Sequence, residues 1–353
     1  MTSNDNIDIL DDSWFQMSKN DFDKFFISEK VLGCGSSADI RVGFVKQDIS
    51  AEFEKQPISA EFVKQSMATE FVKQPMATEF VKQPMATEPA KQSITTPSVA
   101  VKIINKRNID PSDLKNISEE ANILSQLNHP HIVQIYGTYV DDHHIYLFLS
   151  LAHGGNLLSL LDQINRPLTP DEARHLCSQL IEAISYCHSK NIVHRDIKFD
   201  NLLLRDVFDI EAPIQQCNIM LCDFGFSANQ EEHGPHLVDY PGTLHYVSPE
   251  IVNGIPYQGR SSDIWSIGIC LYALLEHAFP FFDKNDDYDE IKYCITTMMP
   301  TFNFITDGQL KDLILQMLTK NPTARIDMKN ILCHPWMLDD QPNSTTISFS
   351  NQQ

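Results

Sequence analysis

Two short segments restrict this chain more than any other feature: His194-Arg195-Asp196-Ile197-Lys198-Phe199-Asp200-Asn201 and, further along, Asp223-Phe224-Gly225. Their residue types suit one kind of chemistry. A metal-bound phosphate needs a carboxylate and an amide to hold the metal. A hydroxyl nucleophile needs a second carboxylate to take its proton, and a lysine is needed to neutralise charge in transit. The first segment offers Asp196, Lys198 and Asn201, and the second offers Asp223. Unrelated loops rarely carry all of these in this order.

At these residues the chain resembles the eukaryotic protein kinase family, which has both segments in the same order. The resemblance implies an α+β fold of two lobes, a small β-rich N-lobe with one regulatory helix and a larger, mainly α-helical C-lobe. It implies ATP and Mg²⁺ as cofactors and transfer of the γ-phosphate to hydroxyls of protein substrates. Asp196, Lys198, Asn201 and Thr243 are then the catalytic residues, with Asn201 and Asp223 as metal ligands.

Further segments extend the resemblance. Leu32-Gly33-Cys34-Gly35-Ser36-Ser37-Ala38-Asp39-Ile40 is similar to the glycine-rich loop that covers the phosphates, where glycine lets the main chain approach closely. Alone it is weak evidence, since two glycines near a strand usually make a turn. Ala38 replaces the third glycine and Ile40 the usual valine. Val99-Ala100-Val101-Lys102 resembles the strand lysine, and its apolar residues suit a buried strand. Lys102 is then expected to contact the inner phosphates and to pair with a helix glutamate. Adjacent helical side chains diverge by about 100°, so only one of Glu119 and Glu120 points inward. The register with Ile123 and Leu124 favours Glu120 and leaves Glu119 as the alternative.

Ile145–Leu149 is an apolar run that reads as a buried strand, with Ser150–Gly155 as its connector. The resemblance puts Leu149 at the back of an adenine pocket and directs the backbones of Ser150 and Ala152 to the adenine. A plain strand-to-helix loop is the other reading of these residues. Gly242–Glu250 is similar to the end of the activation segment, with Ser248 for the usual alanine. A buried Glu250 needs a partner, because an isolated buried charge is costly, and Arg325 is the matching residue. Asp263 resembles the carboxylate that braces the catalytic loop from a buried helix.

Lys198 and Thr243 match the serine/threonine type. His129-Pro130-His131-Ile132-Val133, Trp265-Ser266-Ile267-Gly268 and His334-Pro335-Trp336-Met337 look most like the calcium/calmodulin-dependent and AMP-activated-like (CAMK) branch. No basic amphipathic helix is expected in the polar residues 338–353, so direct calmodulin binding is not expected on this chain. Asp200 stands where basophilic relatives meet substrate arginine, but the companion glutamate is Asn156, so a basic preference is half supported.

The expected organisation is an acidic tail at 1–25, a kinase domain at 26–337 and a short polar tail at 338–353. The domain divides into an N-lobe at 26–149 and a C-lobe at 150–337. One spacing departs from the family. Gly33 and Lys102 are separated by an insertion at 48–96, within which 49–93 consist of five nine-residue units: ISAEFEKQP, ISAEFVKQS, MATEFVKQP, MATEFVKQP and MATEPAKQS. Phe44-Val45-Lys46-Gln47 already carries the units' four-residue core, so the array reads as an expansion of a strand end. Lengthening a loop tenfold costs only about 2 kcal/mol of closure entropy. The prolines that close most units keep a helix from running through. A flexible loop without a dedicated role is the reading, with a docking segment as the alternative. A variant lacking 49–96 is expected to keep most of its activity; a folded deletion variant with a large loss would overturn that.

Composition sets outer limits. The 353 residues are 42% hydrophobic, and no apolar run approaches membrane-spanning length. The acidic N-terminus is unlike a signal peptide. Eight cysteines without a Cys-x-x-Cys pair imply reduced thiols and a cytoplasmic location, with the nucleus as the alternative. Cys34 and Cys222 are candidates for electrophile access. A net charge of −20 argues against nucleic-acid and anionic-membrane binding, and a monomer is expected.

Asp239 occupies a position where many relatives carry an activating phosphothreonine, and Arg195 is the natural cation for a charge there. A solvated surface aspartate is the alternative. Intact Lys102, Asp196 and Asp223 favour an active enzyme over a pseudokinase or scaffold that binds nucleotide and partners.

Overall fold

The computed structural model describes residues 17–34, 38–45, 98–230, 243–285 and 287–338. The repeats at 49–93, Gly35, Ser36 and Ser37 of the glycine-rich segment, Asp239, Gly242 and most of both tails lie outside the described residues.

The small lobe is built on one antiparallel sheet. Its strands are β1 (Phe25–Cys34), β2 (Ala38–Val45), β3 (Ser98–Asn105), β4 (Ile135–Val140) and β5 (His144–Leu149), in the order β1-β2-β3-β5-β4. The pairing of β2 with β3 crosses the insertion, from Phe44 opposite Ser98 to Ala38 opposite Ile104. The array therefore leaves from two neighbouring strand ends, four residues along β3 from Lys102. It does not fall between β1 and β2. The register sets Lys102 between Ile40 on one side and Leu147 on the other.

Residues 17–25, expected as part of a tail, belong to this lobe. Helix α1 (Lys19–Phe22) lies over the outer sheet face. The Phe22 ring stacks on Tyr139 at 4.0 Å and meets Phe148 edge-on at 6.1 Å. The Met17 amide donates to the Thr138 carbonyl at 2.7 Å. Phe25, Val99, Val101 and Phe148 form a small core beneath this cap. On the inner face α2 (Pro111–Ser125) packs with Ile117, Ala121 and Leu124 buried.

The large lobe is mainly helical. It contains α3 (Leu157–Ile164), α4 (Pro170–Ser189), α5 (Pro249–Val252), α6 (Gly259–Glu276), α7 (Tyr288–Thr297), α8 (Gly308–Met317), α9 (Met328–Leu332) and α10 (Pro335–Leu338). Four short strands, β6 (Ile192–Val193), β7 (Leu202–Leu204), β8 (Ile219–Leu221) and β9 (Ala228–Asn229), pair as β6-β9 and β7-β8. They flank His194–Asn201 and Asp223–Gly225. Helix α4 starts on a capping box: the Thr169 side chain accepts from the Glu172 amide, and the Glu172 carboxylate accepts from the Thr169 amide. Arg166 binds the same carboxylate, which helps to hold its pKa down to about 2.

Helix α6 is buried on nearly every side, as its apolar sequence requires, and forms the axis of the lobe. Gly268 allows α8 to approach, since a Cβ there would sit 2.8 Å from the Cβ of Met317.

Candidate active site

Lys102 is half-buried on β3, and its ammonium reaches both carboxylate oxygens of Glu120 at 2.7 Å. Glu119 points outward and pairs with Lys115 at 3.5 Å on the surface of α2. Burial by itself acts to lower the Lys102 pKa. The carboxylates of Glu120 and Asp223 outweigh it and hold the lysine above its ordinary value, so it stays charged at physiological pH.

The loop after β6 carries the second group. Asp196 is buried, and its two carboxylate oxygens accept from the Lys198 ammonium at 3.1 and 2.8 Å. The Asn201 amide nitrogen donates to the Asp196 carbonyl at 2.8 Å and to its carboxylate at 2.9 Å. That orientation leaves the Asn201 amide oxygen directed away from Asp196. Asp263 on α6 braces the loop from below: it accepts the His194 amide at 3.0 Å, the Arg195 amide at 2.8 Å and the His188 ring at 2.8 Å. Burial lowers the His194 pKa against the pull of Asp263 and Asp196, which leaves its ring neutral. The ring packs edge-on against Phe224 at 4.7 Å.

The third group follows β8. Asp223 has φ 63°, in the left-handed region that non-glycine residues seldom adopt, and Arg195 shares the feature at φ 68°. Such backbone is retained where its surroundings over-determine it. Here the Cys222 amide is tied to the Asn201 carbonyl at 2.9 Å, and the Cys222 carbonyl meets the His194 ring at 3.1 Å. Gly225 lies between the other groups: a Cβ there would sit 3.5 Å from an Asp223 carboxylate oxygen and 3.7 Å from Glu120.

The apolar residues expected around an adenine are buried together. Leu32, Ile40, Ala100, Leu149 and Ala152 all belong to the main core. The Ser150 amide donates to Gln134 at 2.8 Å, so the backbone group Ser150 has left for a ligand is its carbonyl. Ala38 and Asp39 begin β2 beside Gly33 and Cys34 at the end of β1. Thr243 stands at the start of the described part of the Gly242–Glu250 segment. In that segment Glu250 and Arg325 form a bidentate buried ion pair at 2.7 and 2.8 Å.

One expectation changes, and Asn156 gains a local role. Cys222 is buried, so a reagent has no open approach to it. Asn156 accepts the Ser159 amide at 2.9 Å as the N-cap of α3 and is itself buried, which commits it to local structure. The arrangement also holds a feature that sequence patterns do not signal. The Arg195 Nε donates to the Phe226 carbonyl at 2.5 Å, while its Nη1 is buried without a hydrogen-bond partner among the described residues.

The family model for the protein kinase domain matches residues 87–337. The chain belongs to the protein kinase family, and the relatives it resembles are kinases of the CAMK and AMP-activated-like group. It is similar to the serine/threonine-protein kinase SIK2 of Gallus gallus, at 35% identity over 73% of this chain and 31% of that protein. It is 36% identical to the SNF1-related protein kinase catalytic subunit alpha KIN12 of Arabidopsis thaliana, over 70% of this chain and 48% of the relative. The NUAK family SNF1-like kinase 1 of Homo sapiens is 35% identical over 68% and 34% of the two chains. The chain thus spans about a third to a half of the length of these relatives. The family match begins inside the insertion, and strand pairing supplies the place of the preceding β1 and β2.

Proposed function

We propose that this chain is an active kinase that transfers the γ-phosphate of ATP to serine or threonine hydroxyls of proteins. The observation that carries this reading is the Lys102–Glu120 ion pair, formed at 2.7 Å with the charge of Asp223 acting on the same ammonium. A lysine held this way has the charge and fixed position that binding of inner phosphates requires.

The residues suit Mg²⁺. Asp223 offers a carboxylate and Asn201 an amide oxygen, and hard oxygen donors from one or two side chains are what this ion accepts when phosphates complete its shell. When bound, ATP with Mg²⁺ supplies the phosphoryl group and screens its charge. The protein's part is positioning and electrostatics. The connector Ser150–Ala152 receives the adenine by main-chain bonds, with Leu149 behind it. Asp196 orients the acceptor hydroxyl and takes its proton on a carboxylate oxygen. Lys198, already against that carboxylate, carries positive charge to where negative charge gathers. Thr243 frames the acceptor from the opposite segment.

The test is transfer of radiolabelled phosphate from ATP to generic serine/threonine substrates, with and without chelation of Mg²⁺. Transfer that disappears on chelation is the expected result. Folded protein that binds nucleotide and transfers nothing would mean a scaffold instead.

Regulation is read from Arg195. Its unpartnered Nη1 is a place for an anion, and we assign that role to Asp239, which lies outside the described residues. A carboxylate carries roughly half the charge of a phosphate, so it orders the segment in part without an upstream kinase. Phosphate-free protein made in bacteria is expected to be active already, and Asp239→Ala to lower kcat. An unchanged rate in that variant would rule the assignment out.

A further inference from the structure

A cavity of about 590 Å³ opens in the large lobe where the end of α4, the start of α6 and the turn before α9 meet. Small-molecule sites occupy roughly 300–1,000 Å³. The cavity is separate from the cleft between the lobes, since neither Lys102, Asp196 nor Asp223 lines it. Buried Ile264 and Ile326 and half-buried Met328 give it an apolar floor, and exposed Arg260 and Lys329 stand at its rim.

The charge at this rim runs against the chain's net charge of −20. Neither Arg260 nor Lys329 pairs with a carboxylate among the described residues. Arg260 donates through Nη2 to the His188 carbonyl at 2.9 Å and to the Asn191 side chain at 2.5 Å. Its Nε and Nη1 have no partner among the described residues. One carboxylate, Asp327, lines the same cavity, and it is committed to capping α9 through the Asn330 amide at 2.8 Å. Arg325, in the wall, is already bound to Glu250. Two cations thus remain for an anion.

His188 is an independent sign of a ligand. Its side chain is only 7% exposed, and Nε2 meets the Asp263 carboxylate at 2.8 Å. Its Nδ1 has no partner among the described residues, and His188 lines the cavity. A buried polar atom without a partner is costly, and a ligand that meets it removes the cost. A phosphate monoester suits either state of the ring. Its own hydroxyl donates to the lone pair of a neutral imidazole, and its oxygens accept from the N–H of an imidazolium. The planar fork of an arginine binds phosphate through two bonds, and a lysine adds a point charge.

The walls are fixed in advance. The Ser261 hydroxyl donates to the Pro322 carbonyl at 3.0 Å, and the Asn321 side chain accepts the Thr323 amide at 3.0 Å. Little order is left to be gained on binding.

We propose that this cavity binds a small phosphate monoester with an apolar body. The phosphate rests on Arg260, Lys329 and His188 Nδ1, and the body on Ile264, Ile326 and Met328. Through Asp263, which also accepts the His194 and Arg195 amides, the occupant is linked to the loop after β6. Binding does not depend on the kinase reading above.

The probe is naphthyl phosphate, followed by calorimetric titration without ATP, with naphthol and inorganic phosphate as its two halves. Wild type is expected to bind the whole probe at one site and each half at least about tenfold more weakly. His188 braces Asp263, so a substitution there would mix binding with folding, and exposed positions are used instead. Arg260→Ala with Lys329→Ala is expected to weaken binding about tenfold or more. Thr323→Trp, which fills the mouth and leaves every charge in place, should do the same. Lys115→Ala with Lys284→Ala, exposed cations elsewhere, should leave affinity unchanged. Excess adenosine, uncharged and directed to the cleft, should leave it unchanged as well.

Any of several results would overturn the proposal. These are no binding by folded wild type, displacement of the probe by adenosine, or equal weakening by the remote pair. Affinity unchanged in both the Arg260/Lys329 and the Thr323 variants would overturn it too. Equal binding of naphthol would remove the anion from the site, and equal binding of inorganic phosphate would remove the apolar body.

Discussion

Asp196→Asn is expected to lower kcat by about 10²–10⁴-fold, the span assigned to a positioned proton acceptor, with little change in KM for ATP. The carboxylate is buried and receives two donors, Lys198 and Asn201. An amide keeps its shape but cannot take a proton, and its nitrogen would face those donors in place of an oxygen. Nucleotide contacts would persist, because Lys102, Glu120 and Asp223 are untouched. Transfer rates and circular dichroism on the same preparation decide the matter. A folded variant within about tenfold of wild type would remove Asp196 from the chemistry.

Arg325→Leu carries the largest expected effect on stability, a loss of about 3–5 kcal/mol, because it leaves the Glu250 carboxylate buried without its counter-ion. Both side chains are almost wholly inaccessible, at 0% and 3% exposure. Arg325 also donates to the Thr319 and Ser261 carbonyls at 3.0 and 2.7 Å and stacks over Trp265 at 5.1 Å. Replacing both partners with leucine should recover part of the loss, since the stranded charge goes with the pair. Denaturant unfolding of the three proteins measures this. A single-variant loss under about 1 kcal/mol, as for a surface pair, would mean that water reaches Glu250. Activity should fall as well, if the pair anchors α5 behind the proposed substrate-facing segment that ends at Glu250.

Much of the site was legible because its parts are local in sequence. Asp196, Lys198 and Asn201 lie within six positions, and their contacts follow from one loop. Helical periodicity separated Glu120 from Glu119, since only one of two adjacent residues on α2 faces the sheet. The place of the array was legible too, because β2 and β3 pair across it without a break in register.

Other parts had no sequence signal. The packing of residues 17–25 depends on Phe22 meeting Tyr139, Tyr146 and Phe148, and a four-residue helix is too short to show a period. Cys222 looked accessible from its place beside Asp223. The strand before it runs through the core, and adjacency along the chain says nothing about burial. Glu276 reads as an ordinary charge at a helix end until the amides of 303–305 close around it.

The sequence alone determined the family and singled out Lys102, Glu120, Asp196, Lys198, Asn201 and Asp223, because phosphoryl chemistry asks for particular residue types at particular spacings. Tertiary structure decided which of those charges are paired, how deeply they are buried and which apolar residues remain outside. Those properties arise between segments far apart in the chain. Ion pairs such as Lys102–Glu120 and Glu250–Arg325 have their strength set by distance and desolvation, and neither quantity is written in the order of residues.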